Sequence, residues 1–207
     1  MKRLVRKHPL AIRWFHWINF PLLAIMIWSG TLIYWANAVY IPFPKPVWEK
    51  LHVGYRLAEG MALHFFWMWL FAVNGLLYVI YTIVSGEWRE LVPGRRSLKE
   101  AWLVVLHDLR LRKEAPPQKK YNAAQRISYT LIVVMGFFSL LTGLAIYKPV
   151  QMGWLRWLFG GYERARFFHF WLTVGYVAFF LVHIAQVVKT GWNNFRAMVI
   201  GVEVVNE

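Results

Sequence analysis

The chain has 207 residues, 58% hydrophobic and 16% charged, with no cysteine, so disulfides, thiolate metal sites, iron–sulfur clusters and thioether-attached haem are excluded. Its apolar residues gather in runs of about twenty, the length that crosses a bilayer core, and too little polar sequence remains for an independent soluble core. The net charge of +14 is then the ordinary excess of lysine and arginine beside membrane spans, and no nucleic-acid partner is expected.

Four spans are predicted, at about 10–36, 60–84, 125–147 and 167–190, making one integral membrane domain over 1–207. MKRLVRKHPLAIRWFHW has the basic flank of a signal sequence, but no small-residue cleavage site follows, so it is taken as an uncleaved first span. Pro9 suits the first turn of that helix, where a missing N–H costs nothing. YIPFPKPVW at 40–48 is a proline-stiffened loop leading into a short interfacial helix before the second span. SGEWRELVPGRRS closes the second span, and KEAPPQKK at 113–120 is a proline-broken connector to the third. Trp154 and Trp157, in the loop before the fourth span, suit a membrane interface.

With the N-terminus inside, seventeen of the lysines and arginines fall on the inner side and seven on the outer. The positive-inside rule therefore predicts an all-α, four-helix membrane bundle with both termini cytoplasmic, in a bacterial-type inner membrane. A faint repeat relates the two halves. RWFH…SGTLIY, Arg13 to Tyr34, matches RISY…TGLAIY, Arg126 to Tyr147, at the same interval; His64 to Gly86 and His169 to Gly191 also share one interval.

Four of the seven histidines lie within spans: His16, His64, His169 and His183. Ionisable groups at membrane depth are costly and mark function by default. Fourteen residues separate His169 from His183, about four helical turns, so both leave the fourth helix on one face, roughly 21 Å apart along its axis. The span directions put His16 level with His183 near the inner surface and His64 level with His169 near the outer. Two histidine pairs at two depths are what two bis-histidine haems require. Such a six-coordinate iron moves electrons and offers no open position. Zinc or copper would find a poor ligand set in two histidines without carboxylates. Arg13 and Arg126 are placed for the propionates of the inner haem, Arg56 and Arg166 for those of the outer; interfacial snorkelling is the competing role of each. His8 is expected to be solvated, His52 to lie outside the hydrocarbon, and His107 to sit at the surface beside Asp108.

RWFHW followed by S-G thirteen residues after its histidine, an early histidine in the second span with RELVP after it, and H-x13-H in the fourth span together resemble the cytochrome b561-like superfamily. The nearest resemblance is to the b-type cytochrome subunits of nickel–iron hydrogenases and periplasm-facing formate dehydrogenases. The resemblance implies two haems b ligated by His16, His64, His169 and His183, and electron transfer between a periplasmic partner and the quinone pool, menaquinone or ubiquinone. It also implies a quinone site near His183, Arg13 and the 86–122 loop. The partner would be a catalytic or iron–sulfur subunit: a hydrogenase, a formate dehydrogenase, or a molybdopterin enzyme of thiosulfate or sulfite type. The short outer loops depart from any pattern that would identify it. Within the redox class, the alternative is a stand-alone quinone reductase or superoxide-oxidising b561. Outside it, the alternative is a transporter or passive anchor using its histidines for protons or metal ions.

Overall fold

The computed structural model describes residues 2–37, 40–42, 44–114 and 120–206. Phe43 of the proline-rich loop and residues 115–119 of the polar connector, Lys119 among them, lie outside the described residues. Four helices are long and apolar enough to cross a membrane: α1 (Leu10–Tyr34), α3 (Leu57–Ser85), α6 (Ala123–Tyr147) and α8 (Tyr162–Thr190). Each matches a predicted span to within a few residues, the largest difference being α8, which starts at Tyr162 rather than 167. At most 11% of the apolar window of any of these helices is buried within the protein, as befits helices solvated by lipid.

The short elements are α2 (Lys45–Lys50), α4 (Trp88–Leu91), α5 (Ser97–Asp108), α7 (Gly153–Leu158), α9 (Trp192–Ile200), and two strands, β1 (Lys2–Arg6) and β2 (Val202–Asn206). The interfacial helix expected after the proline-rich loop is α2, with Pro46 in its first turn, where proline is tolerated. Gly86 at φ +78° and Gly191 at φ +81° end α3 and α8, a backbone region that favours glycine. Asn122 and Gln125 form a reciprocal capping box at the start of α6.

Chain contacts define two compact units. One is Leu10–Val79, holding α1, α2 and most of α3. Its two long helices approach at Gly60, where an added Cβ would stand 2.8 Å from Leu32 Cβ and 3.1 Å from both Ile33 N and Ser29 O. The other unit is Met1–Pro9 together with Ile80–Glu207. In it α6 packs along α8 and α5 packs on α6. Small residues make the α6–α8 approach possible: Gly175 lies under Met135, Gly136 under the Tyr176 hydroxyl and Gly143 under His169. Near the α7 end, Ala145, Leu155 and Ala165 form a buried cluster with Leu141, Met152 and Phe159 against it. At the opposite end Asp108 accepts from Lys189 Nζ at 2.7 Å and Gln186 Nε2 at 3.0 Å, clamping α5 to the last turns of α8.

One finding adds to the sequence reading and one corrects it. The basic N-terminal flank adds a short ribbon to the helical fold: β1 pairs antiparallel with β2, from Lys2↔Asn206 to Arg6↔Val202. That pairing sets the two ends of the chain side by side. His8, expected in solvent, is 5% exposed. The main-chain N–H groups of Lys7 and His8 donate to the carbonyl of Gly201, drawing this segment inward. His8 then stacks on Tyr121 at 6.1 Å, beside the Lys7–Glu203 and Lys120–Glu87 ion pairs.

Burial, then the charges of Lys7 and Lys120, hold the His8 imidazole down at about 4, against partial opposition from Glu203 and Glu87. The unfolded chain therefore binds more protons than the folded one between about pH 4 and 6.5. Stability is fully present above the unfolded value near 6.5 and falls as pH drops toward 4, by on the order of 2–3 kcal/mol. Thermal unfolding in detergent should show this slope, and His8→Gln should flatten it; an unchanged slope would assign it to other groups.

Candidate functional site

Each unit contains one of the expected outer histidines, and each holds it in the same way. In the unit built on α1 and α3, His64 Nδ1 lies 2.9 Å from the Ser29 hydroxyl. That hydroxyl sits 2.7 Å from the Ile25 carbonyl and 3.2 Å from the Met26 carbonyl of its own helix. In the other unit, His169 Nδ1 lies 3.0 Å from the Thr142 hydroxyl. Thr142 in turn sits 2.7 Å from the Phe138 carbonyl and 3.3 Å from the Ser139 carbonyl. Both hydroxyl-bearing residues are completely buried.

The following glycine completes the match. A Cβ on Gly30 would stand 3.5 Å from His64 Cε1 and 3.8 Å from Nδ1; on Gly143 it would stand 3.4 Å and 3.8 Å from the same atoms of His169. The S-G and T-G pairs are thus small shelves, each carrying the edge of one imidazole. They occupy equal positions in the repeat, sixteen residues after Arg13 and Arg126.

The hydroxyl geometry sets the tautomer. A hydroxyl has one proton, and in each case the shortest contact is to a main-chain carbonyl, which can only accept. The hydroxyl therefore donates to the carbonyl and accepts from the imidazole Nδ1–H. Nε2 is left as the nitrogen that carries the lone pair. A histidine ligand with its other nitrogen donating to an oxygen is the usual arrangement at a metal.

His16 and His183 are half-buried on α1 and α8. His16 meets Trp17 edge-on at 5.1 Å, and His183 stacks on Phe179 at 5.8 Å with an interplanar angle of 11°. At Phe15, the residue before His16, the buried Asn74 of α3 donates to the main-chain carbonyl and Tyr78 meets the ring edge-on. Among the described residues no three His, Cys, Asp or Glu side chains cluster as a site for a bare metal ion. Histidines presented singly suit a macrocycle that brings four equatorial nitrogens of its own.

The profile of prokaryotic cytochrome b561 matches residues 7–201. The chain belongs to that family. The cytochrome is also 36% identical over 187 residues, 90% of its own length and 92% of the relative's, to "Putative protein-methionine-sulfoxide reductase subunit YedZ1" of Azospira oryzae. It is a multi-pass bacterial membrane protein with haem b as its cofactor and transmembrane electron transfer as its role. The lone-pair Nε2 of His64 and of His169 fits that cofactor; bound haem supplies a one-electron ferric–ferrous couple.

Arg56, Arg126 and Arg166 are already engaged. Arg56 pairs with Glu59 and lies over Trp28, and Arg166 pairs with Glu163 and lies over Tyr162. Arg126 donates to the carbonyls of Arg89 and Val92, fastening the RELV segment after α3 to the start of α6. Arg13 is half-buried on α1. His52 is exposed in the loop before α3, and His107 lies 3.9 Å from Asp108 at the surface.

Ser29, Thr142 and Tyr176 were not singled out by the sequence reading. The signal for the first two was present in the repeat, whose S-G and T-G dipeptides looked like ordinary small-residue packing. Tyr176 lies seven residues from His169 and seven from His183, hence on the same face of α8 midway between them. It is 6% exposed, with its hydroxyl against Gly136.

Proposed function

We propose that this cytochrome is the membrane subunit of a two-component oxidoreductase, carrying electrons through two bis-histidine haems b between the quinone pool and a periplasmic catalytic partner. The observation that carries the reading is the repeated presentation of a lone-pair imidazole, once in each unit, in helices fit to span a membrane. His64 and His169 serve the outer haem, and His16 and His183 the inner. This pairing is supported by their levels along antiparallel spans and by the fourteen-residue interval in α8. The whole chain acts as one membrane domain with both termini cytoplasmic, supported by the seventeen-to-seven distribution of basic residues.

Arg13 and Arg126 near the inner haem, and Arg56 and Arg166 near the outer, are proposed propionate partners. For Arg56 and Arg166 this requires only exchange of exposed ion pairs with Glu59 and Glu163, three residues away, which are worth little. The relative's name, as a subunit of a reductase, favours outward flow. Quinol would be oxidised near His183, Arg13 and the 86–122 loop, giving up two electrons and two protons. The partner would spend two electrons and two protons on its own oxidised substrate.

The purified chain should be coloured, with a Soret band and a sharp α-band on dithionite reduction, and should bind about two haems per chain. Anaerobic addition of a short-chain quinol should reduce part of that haem. A colourless preparation, or one haem per chain at saturation, would overturn the reading. Haem that no quinol reduces would remove the quinone assignment.

A further inference from the structure

We infer that Ser29 and Thr142 are positioning residues for the haem ligands His64 and His169, each fixing its imidazole tautomer and each lowering the reduction potential of one and the same haem. The inference rests on the proposed pairing of His64 with His169, and its test separates the two.

The two sites agree in four independent dimensions: hydroxyl to Nδ1 at 2.9 and 3.0 Å, hydroxyl to main-chain carbonyl at 2.7 Å in both, and glycine shelf to Cε1 and to Nδ1 within 0.1 Å of one another. A serine or threonine whose hydroxyl bonds back to its own helix needs no partner from another helix. Each of these nevertheless sits where it meets the imidazole of the neighbouring helix. Because the hydroxyl proton is committed to the carbonyl, its oxygen is polarised into a better acceptor.

The chemical consequence has a sign. An imidazole bound to ferric iron is the more acidic at Nδ1–H, so it donates more strongly to the hydroxyl than when the iron is ferrous. The bond therefore favours the oxidised state, and removing it raises the potential. Hydrogen bonds of this kind contribute roughly 0.5–1.5 kcal/mol net. Only the difference between the ferric-state and ferrous-state bonds shifts the potential, so the full value is a ceiling of about tenfold in the oxidised-to-reduced ratio at fixed potential, or roughly 60 mV for one electron. With two such bonds on one haem the shifts should add.

The test is a spectroelectrochemical titration of the haem-loaded protein, with low-temperature EPR of the low-spin signals. Ser29→Ala and Thr142→Val remove each hydroxyl with little change of volume. Each should move one of the two redox waves positive, by up to about tenfold in that ratio, and the double variant by about the product of the two. Both should move the same wave and the same EPR signal. Ser29→Thr and Thr142→Ser, which keep the hydroxyl, should restore it. If haem content falls but the remaining waves stay in place, or if neither wave moves, the inference is overturned while the pairing stands. If the two substitutions move different waves, the hydroxyl role stands and the pairing of His64 with His169 fails.

Discussion

Alanine at His64 or at His169 is expected to remove the same haem, taking the haem content from about two to about one per chain, and alanine at His16 or at His183 is expected to remove the other. The reason is depth. His169 and His183 share a face of α8 but stand about 21 Å apart along it, too far for one iron. His64 comes eight residues into α3, and strict alternation of four spans would carry α3 and α8 across a membrane in the same direction. His16 comes seven residues into α1, which the same alternation would carry the opposite way. Pyridine haemochrome assays on the four variants, paired with redox titrations to identify the surviving wave, check the result. Co-depletion by His16→Ala and His64→Ala would show the depths to be misassigned.

The second large effect is expected at Gly60. An added methyl group there meets Leu32 Cβ at 2.8 Å and two main-chain atoms of α1 at 3.1 Å, contacts that side-chain rotation cannot relieve. Overpacking of this kind costs about 1–3 kcal/mol, and more where backbone must shift. Gly60 also lies one turn before His64, so separating α1 from α3 at this point withdraws Ser29 from Nδ1. Gly60→Ala should lower the detergent melting temperature and deplete the haem proposed for His64, leaving the one proposed for His16 and His183 in place. Gly75→Ala, also on α3, is the matched control. Its Cβ would meet nothing within 4 Å, so haem content should be retained. Equal loss in the two variants would show that glycine content, not the Gly60 contact, is what matters.

Much of this was written in the chain itself. Bilayer thickness demands about twenty apolar residues per span, so the four long helices followed from composition alone. Gly86 and Gly191 marked two helix ends because few other residues accept their backbone angles. The spacing of His169 and His183 placed both on one face, since helical geometry is fixed. These are local or one-dimensional constraints, and sequence carries them directly.

The remainder depended on elements distant in sequence. The β1–β2 ribbon joins residues some two hundred positions apart, and five-residue strands rich in valine and charge give no period strong enough to predict their pairing. His8 is buried where the end of that ribbon meets Tyr121. Ser29 and Thr142 looked like residues for helix packing until their hydroxyls met imidazoles thirty-five and twenty-seven positions away. Sequence determined how far apart His169 and His183 stand along α8, because helix rise is universal. Which atom of each imidazole carries the proton was decided by tertiary structure, because a tautomer answers to the one oxygen placed within hydrogen-bonding distance.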